Sequence, residues 1–472
     1  MLFSTPLFLF AFLPLALIFV GRRQATRERQ WALFIASATF YAFWSLRDAA
    51  LITVSIAANY WFGRRIAESG AKFWLTAGIA FNLTLLGFFK YADFFTSTIN
   101  SAGGWSIPLL GLALPLAISF YTFEQIGYLV ECRQTREHDK DPLLYALFVL
   151  FFPHLIAGPI IRHRDIVPQL KRLGDVIDKR AFAQGVFLLV VGLFKKVVIA
   201  DNIAPWADVV FNNPGELQFI DAWVGALAYT MQLYFDFSAY SELALGIGLM
   251  FGIQLPLNFN APYKSPSITE FWRRWHMTLG SFLREYLYQP LGGNRNGWVR
   301  MFGALLATMF LGGLWHGAGW TFVIWGLLHG TMLVMHRAWT LRGWRMPTRL
   351  GVSVTFLAVV ASWVLFRAHS IGDAVTIWRA MAGLSGFQMP HGLSFVLQSA
   401  PVAWFRFSSY GEGWELLPLA GLVYFVMSAP TVHEVWERWF QPSKRWAALI
   451  TTVALMSFFS LAKPSTFLYF QF

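Results

Sequence analysis

The sequence contains a single cysteine, Cys132, so no disulfide bond can form within the chain. Charged residues make up only 13% of its 472 residues, whereas soluble domains usually have about 25%. Its histidines are scattered, and it has no H-E-x-x-H sequence, P-loop or dinucleotide fingerprint. These absences argue against a disulfide-stabilised domain and against a P-loop or dinucleotide-binding site. We expect neither a bound metal nor a resident cofactor.

Long apolar runs recur along the whole chain instead, and 56% of the residues are hydrophobic. Runs such as residues 2–20 and 182–200 have the length that spans a bilayer as a helix. The pattern predicts an all-α polytopic membrane protein with about ten to twelve spans. We expect one membrane-embedded domain over residues 1–472, with core motifs at about 120–340 and further spans over 350–472. The first run has no basic residue before it and reads as a retained span.

The formal net charge of +12 does not indicate a nucleic-acid surface, because the basic residues cluster in loops between apolar runs. The expected partner of this surface is the lipid bilayer. The arginines at positions 22, 23, 27 and 29 follow the first run and predict a cytoplasmic loop there. The N-terminus is therefore expected on the periplasmic side.

Basic cytoplasmic loops are expected to alternate with loops on the other side of the membrane. Residues 143–161 do not fit this alternation, because basic loops lie on both sides of this apolar run. A run between two cytoplasmic loops cannot cross the membrane once. Pro153, Gly158 and Pro159 interrupt a helix here. The segment predicts a re-entrant hairpin buried in protein, with His154 near its tip.

Residues 261–293 are too polar for a simple span. Ser267 and Glu270 match a capping box, S-x-x-E, ahead of an amphipathic run. Aromatic and aliphatic side chains, Trp275 among them, fall on one helical face, and Arg273, His276 and Arg284 fall on another. The spacing predicts one helix at the interface or in a protein-lined cavity. Its arginines suit either a phosphate clamp or contact with lipid headgroups.

The stretch "LGGLWHGAGW" places His316 inside an apolar run, beside Trp315 and Gly317. A buried ionisable residue in a membrane segment is a functional hypothesis, since burying it is costly. The alternative is a packing histidine that donates to a backbone carbonyl. His329 lies in the same long run and has a structural or a gating role.

Three carboxylates, Glu124, Asp236 and Glu242, also lie within apolar runs. Buried carboxylates need partners. They are expected to pair with the conspicuous arginines or to belong to a proton path.

Five segments together resemble the membrane-bound O-acyltransferase superfamily, in particular the bacterial branch typified by the alginate O-acetyltransferase membrane subunit. They are "FFPHLIAGPIIRHRD", "YFDFSAYSELALGIG", "FNAPYKSPSITEFWRRWHMTLGSFLREYLYQPLGG", "GGLWHGAGWTFVIWGLLHG" and the terminal "FLYFQF". They occur in the family's order from about residue 120 to the end. The resemblance implies a helical bundle with re-entrant and interfacial helices around a central funnel.

The resemblance also implies acyl transfer from a cytoplasmic thioester, such as acetyl-CoA, to hydroxyls of an exported, alginate-like polysaccharide. The family's essential histidine matches His316, expected as the general base. The second family position matches His276, expected to orient the acyl group or stabilise the oxyanion. The neighbouring glycines are expected to open a slot for the thioester arm. The protein is expected in the bacterial inner membrane, with a separate periplasmic partner that completes the transfer to the polymer.

The terminal "STFLYFQF" is unusual because chain ends normally fray. Tyr469 either anchors the tail at the interface or carries the acyl group as a covalent relay. Within the enzyme class, D-alanyl transfer and O-acylation of peptidoglycan or cellulose stay open. A transporter and a non-enzymatic scaffold of a secretion complex are the alternatives from other classes.

Overall fold

The computed structural model describes residues 1–174, 178–295, 297–390, 406–408, 415–441, 443–461 and 468. Most of these residues are helical, which confirms the predicted all-α class. The described residues also include a parallel pair of three-residue strands, β1 (Gln388–Pro390) and β2 (Arg406–Ser408), with Gln388 opposite Arg406. The apolar run expected at 393–404 falls outside the described residues.

The chain groups into two compact units. The first comprises residues 1–193, 240–257 and 448–462. Its helices are α1 (Leu13–Gly21), α2 (Thr26–Ala42), α3 (Leu46–Ser69), α4 (Lys72–Leu86), α5 (Ala92–Gly103), α6 (Ile118–Thr135), α7 (Pro142–Leu150), α8 (Phe152–Leu155), α9 (His163–Lys171) and α10 (Lys179–Phe194), which ends one residue beyond the unit. One π-helical turn, Phe8–Phe12, precedes α1, and another, Gly87–Tyr91, joins α4 to α5.

The second unit comprises residues 194–239, 258–447 and 463–472. Its helices are α11 (Asp201–Asn212), α12 (Phe219–Met250), whose last residues belong to the first unit, α13 (Ile268–Arg274), α14 (Met277–Leu283), α15 (Gly297–His316), α16 (Trp320–Leu341), α17 (Thr348–Arg367), α18 (Ile371–Met381), α19 (Leu416–Ser428) and α20 (Val432–Glu434). It also has π turns at Lys195–Ala200, Arg284–Tyr288 and Val435–Trp439, and short 3-10 turns at Pro214–Glu216 and Pro262–Lys264. Helix α21 (Lys444–Ser460) lies mostly in the first unit.

Within the described residues, four helical segments are long and apolar enough to cross a membrane: Lys72–Gly103, Lys179–Asn212, Gly297–His316 and Thr348–Arg367. A fifth is possible if Leu416–Ser428 and Val432–Trp439, bent by 59°, form one span. The polytopic prediction is confirmed, but the number is below the ten to twelve expected. Several apolar runs of the sequence fold as short or broken helices, and the 32-residue α12 carries Asp221, Asp236 and Glu242.

The run at residues 143–161 does not form a continuous helix. Helix α7 stops at Leu150 after nine residues, and the four-residue α8 follows before an irregular stretch. Nine residues rise only about 14 Å, which is too short to cross a bilayer. His154 lies in α8 and is 1% exposed. The prediction of a broken, buried segment around Pro153 is therefore confirmed.

Candidate active site

His316 is the last residue of α15, and 6% of its surface is exposed. Gly319 adopts an extended conformation before α16 and sets off the next helix. Aromatic rings pack around the imidazole: its centroid lies 5.0 Å from that of Trp315, 5.2 Å from that of Trp325 and 5.2 Å from that of Phe366. These rings come from α15, α16 and α17. An ionisable ring is thus held against apolar walls.

The glycines near His316 are required by the packing of α15 against α16. A Cβ on Gly313 would lie 2.3 Å from the carbonyl oxygen of Phe322 and 2.9 Å from the Cα of Gly326. A Cβ on Gly326 would lie 2.3 Å from the carbonyl oxygen of Met309. A Cβ on Gly317 would lie 2.2 Å from the Phe322 ring. Protein atoms fill these spaces, so the expected slot for a thioester arm is absent at Gly313 and Gly317, where the missing side chain instead permits close packing.

The predicted single helix within residues 261–293 is wrong, because the chain breaks at His276. Helix α13 ends at Arg274, and α14 begins at Met277. Between them His276 has φ 44° and ψ 55°, in the left-handed region that residues other than glycine rarely adopt. The N-cap part of the predicted capping box is present, since the Ser267 hydroxyl accepts from the Glu270 amide at 3.2 Å.

His276 is completely buried and bound to Asn258. The side-chain oxygen of Asn258 is 3.0 Å from Nδ1 of His276, and it accepts hydrogen bonds from the amide and the hydroxyl of Thr278 at 3.3 and 2.9 Å. The His276 ring packs edge-on against Phe237 at 4.8 Å and faces Trp315 at 6.2 Å. Burial lowers the pKa of His276 to about 3, so its imidazole is neutral near neutral pH.

The helix break also separates the expected stripe of Arg273, His276 and Arg284. The Arg273 side chain is 72% exposed and lies 3.5 Å from the carboxylate of Glu270. Arg284 is exposed at the start of a π turn, whereas His276 is buried. The prediction that these three residues share one face is wrong, because the left-handed residue reorients the chain after α13.

Trp275 and His329 belong to the aromatic packing of this unit. Trp275 is 2% exposed and lies 5.6 Å from Phe271 and 5.0 Å from Trp363. Nε2 of His329 is 2.9 Å from the hydroxyl of Ser362.

The hydrogen bonds of His329 can be assigned to each ring nitrogen. The Ser362 hydroxyl donates its hydrogen to the Val359 carbonyl, so Nε2 is the donor to Ser362. Nδ1 accepts from the indole of Trp272 at 3.3 Å. Both nitrogens bind protein groups, which favours the structural alternative for His329.

Asp236 pairs with a lysine, so the expected arginine partner is wrong. Nζ of Lys196 is 2.7 Å from Asp236 and 2.8 Å from Asp201. The other Asp236 oxygen accepts from the backbone amide of Leu468 at 3.0 Å, and Leu468 is buried. Asp236 therefore holds the backbone at Leu468. Tyr469, the next residue, lies outside the described residues.

Glu124 in the first unit pairs with a histidine, so the expected arginine partner is wrong here too. Its Oε1 is 3.2 Å from Nδ1 of His154 and accepts from the Ile161 amide at 3.4 Å. Nε2 of His154 donates to the Phe148 carbonyl at 3.1 Å. The pair holds the irregular stretch after α8. Glu242, the third carboxylate, is also buried.

The sequence reasoning missed Asn258, Lys196, Trp325 and Phe366. Asn258 directly precedes the "FNAPY" segment, and an asparagine in a loop is a common partner for orphan helix amides. Lys196 lies in an apolar run, which is the signal that indicates a buried charge. Among the residues that the structure describes, no three His, Cys, Asp or Glu side chains are placed to hold a metal ion.

Comparison with known proteins places this geometry in a family context. The model of the membrane-bound O-acyltransferase (MBOAT) family matches residues 116–371. The chain is 43% identical over 430 residues to the peptidoglycan O-acetyltransferase of Helicobacter pylori, covering 83% of this chain and 81% of that protein.

Two further relatives carry other names. The chain is 45% identical over 398 residues to the "Probable alginate O-acetylase AlgI" of Azotobacter vinelandii, covering 82% and 78% of the two chains. It is 27% identical over 269 residues to the teichoic acid D-alanyltransferase of Bacillus subtilis, covering 53% and 67%. The matched family region contains His276 and His316.

Proposed function

Since this chain belongs to the membrane-bound O-acyltransferase family and is a multi-pass membrane O-acyltransferase, we propose that it moves acetyl groups from acetyl-CoA to hydroxyls of an exported polysaccharide. The names of two relatives support this proposal, because one describes O-acetyl transfer to peptidoglycan and the other O-acetylation of alginate. The donor enters from the cytoplasm, and the protein resides in the bacterial inner membrane with its N-terminus on the periplasmic side.

The observation that carries the proposal is the buried His316 among the rings of Trp315, Trp325 and Phe366. In the proposed reaction its imidazole takes the proton of an attacking hydroxyl. The hydroxyl oxygen bonds to the thioester carbonyl carbon, the carbon–sulfur bond breaks, and the proton passes to the leaving CoA sulfur. The aromatic walls keep water from hydrolysing the thioester.

His276 is the second residue of the proposed site. It contacts the same indole as His316, that of Trp315. It is neutral and held in one orientation by Asn258, as a group that orients a substrate must be. Trp275 supports it by packing on the ring cluster around Trp363.

The test compares His316→Gln with His369→Gln, each expressed in cells that lack the chromosomal copy. His369 is an exposed histidine of the same unit and is the matched control. We expect the His316 variant to lose base-releasable acetate on cell-surface polymer, by a factor of about 100 or more, at normal abundance in the membrane. The control should keep wild-type acetylation. Normal acetylation by the His316 variant would show that His316 is not the general base.

Acetylation of the polymer is expected to need a separate periplasmic protein. Tyr469 is expected to carry the acyl group from this chain to that partner. The binding of Leu468 by Asp236 supports this, because it fixes the backbone directly before Tyr469. A tyrosine hydroxyl can form an acyl ester and pass it on. Tyr469→Phe keeps the aromatic ring and removes the hydroxyl. Loss of polymer acetylation supports the relay, whereas full activity leaves an interfacial anchor.

D-alanyl transfer is the second candidate, because a teichoic acid D-alanyltransferase is 27% identical to this chain over 269 residues. The lower identity and coverage favour acetyl. Mild base treatment of cell-surface polymer separates the two: it releases acetate if the proposal is right and D-alanine if this alternative is. The same assay on purified peptidoglycan, cellulose and uronate polymers identifies the acceptor.

A further inference from the structure

The hydrogen bonds at Asn258 determine which nitrogen of His276 carries the proton. A backbone amide can only donate, so the Asn258 atom that faces the Thr278 amide at 3.3 Å must be the side-chain oxygen. The same atom lies 3.0 Å from Nδ1 of His276. An oxygen without hydrogen only accepts, so Nδ1 has to be the protonated nitrogen. In the neutral ring, Nε2 then carries a lone pair and no hydrogen.

Asn258 is itself fixed from two sides. Its backbone carbonyl accepts from the Met277 amide at 2.9 Å, and its side-chain oxygen binds Thr278. It thus satisfies the first amides of α14, which would otherwise be orphans. His276 is held in the left-handed conformation at the same place. Strained residues of this kind persist where the surroundings fix them and are concentrated at functional sites.

We propose that Asn258 is a positioning residue that keeps His276 protonated at Nδ1, so that Nε2 accepts a hydrogen bond from the substrate and does not donate one to the oxyanion. This inference rests on the proposed acyl transfer. A substrate group that binds Nε2 must be an O–H or N–H donor. The substrates carry two such groups: the hydroxyl that receives the acetyl group, and the amides in the arm of coenzyme A. His316 remains the residue that removes the proton.

Three variants separate positioning from helix capping. Asn258→Leu removes the acceptor oxygen at similar size, and Asn258→Asp keeps it. Thr278→Val removes one donor to that oxygen and leaves the His276 contact intact, so it is the matched control. We expect turnover to fall by about tenfold to a hundredfold in Asn258→Leu, as for other partners that fix a histidine tautomer. Asn258→Asp and Thr278→Val should stay within about threefold of wild type.

The two roles of His276 predict opposite outcomes for Asn258→Leu. If Nε2 accepts from the substrate, loss of the Asn258 oxygen lets the ring take the other tautomer and lowers turnover. If His276 donates to the oxyanion, the same change favours the Nε2–H form, and turnover is kept or raised. Equal loss in Asn258→Leu and Asn258→Asp would also overturn the proposal, since the acceptor oxygen would then be irrelevant.

Two assays on the full-length protein in lipid nanodiscs identify which substrate group donates the hydrogen bond to Nε2. The slow hydrolysis of acetyl-CoA, measured without polymer, reports on the binding and reaction of acetyl-CoA alone. A raised KM for acetyl-CoA in Asn258→Leu, seen also in hydrolysis, assigns the coenzyme A amide. An unchanged KM with slower transfer to polymer assigns the acceptor hydroxyl.

A spectroscopic measurement tests the tautomer without turnover. Protein labelled with 15N-histidine, with the His276 signals assigned by difference against His276→Gln, should show a hydrogen on Nδ1 and none on Nε2. The reverse pattern would overturn the inference even in a fully active enzyme. If the protein shows a hydrogen on Nδ1 but does not use acetyl-CoA, the proposed function is wrong and the tautomer assignment stands.

Discussion

His276 and His316 lie against the same indole, that of Trp315, with ring centroids 6.2 and 5.0 Å from it. The first histidine comes from the break between α13 and α14, and the second from the end of α15. Trp315 is 4% exposed, so it is a buried wall common to both imidazoles. The positions of the two rings therefore depend on one side chain.

Trp315→Phe should lower the turnover number of acetyl transfer by about tenfold, because the smaller ring cannot touch both imidazoles and reacting groups misplaced by about 1 Å lose rate strongly. Trp320→Phe is the control, since Trp320 is 51% exposed. Steady-state kinetics in membrane vesicles measures the effect. Equal turnover in the two variants would mean that the shared indole has no role in placing the histidines.

Gly313→Ala should destabilise the protein by about 1–3 kcal/mol, because the added methyl collides with the backbone of α16. Gly303→Ala on the same helix is the matched control, since a Cβ there meets nothing within 4 Å. The control should be neutral or stabilise by up to about 1 kcal/mol, as alanine favours a helix over glycine. Thermal unfolding in detergent measures both. A Gly313 variant as stable as the Gly303 variant contradicts the close packing.

Glu124→Leu should destabilise the protein by about 3 kcal/mol, because it removes one partner of a buried pair and leaves His154 without its carboxylate. Glu68→Leu serves as the control: Glu68 pairs with Arg64 at 2.7 Å on an exposed helix surface. We expect no measurable shift in its unfolding midpoint. Similar shifts of the midpoint in both variants would show that the buried Glu124–His154 pair stabilises the protein no more than the exposed Glu68–Arg64 pair.

Arg273→Gln with Arg284→Gln should raise the KM for acetyl-CoA about fivefold to tenfold, with a smaller effect on turnover, if the exposed guanidinium groups bind donor phosphates. Arg349→Gln, another exposed arginine of this unit, is the control. An unchanged KM assigns the two arginines to lipid headgroups, and a dependence of activity on anionic lipid would then distinguish wild type from the double variant.

The parts of this fold that the sequence predicts are those set by local pattern. Apolar runs predict the helices around Gly297–His316 and Thr348–Arg367, and Pro153 predicts the break after α7. His316 is found from the sequence because a histidine in an apolar run is rare enough to indicate a role.

The predictions that are wrong concern features set by contacts between residues that are distant in the sequence. No periodicity predicts a left-handed residue at His276, because the conformation is stabilised by Asn258, which lies in a loop before α13. The partners of Asp236 and Glu124 were expected among arginines and are Lys196 and His154. Pairing of buried charges is set by which helices meet, and local sequence carries little of that information.

The π turn at Lys195–Ala200 makes the ion pair of Lys196 and Asp236 depend on one extra residue. A π turn closes hydrogen bonds from i to i+5, so it accommodates a residue that an α-helix would not. Deleting one residue here would return the segment to regular helix and remove the wide turn from which Lys196 reaches Asp236. In an alignment of homologous chains, a gap in this segment therefore marks those in which Asp236, which holds Leu468, needs a cation other than Lys196.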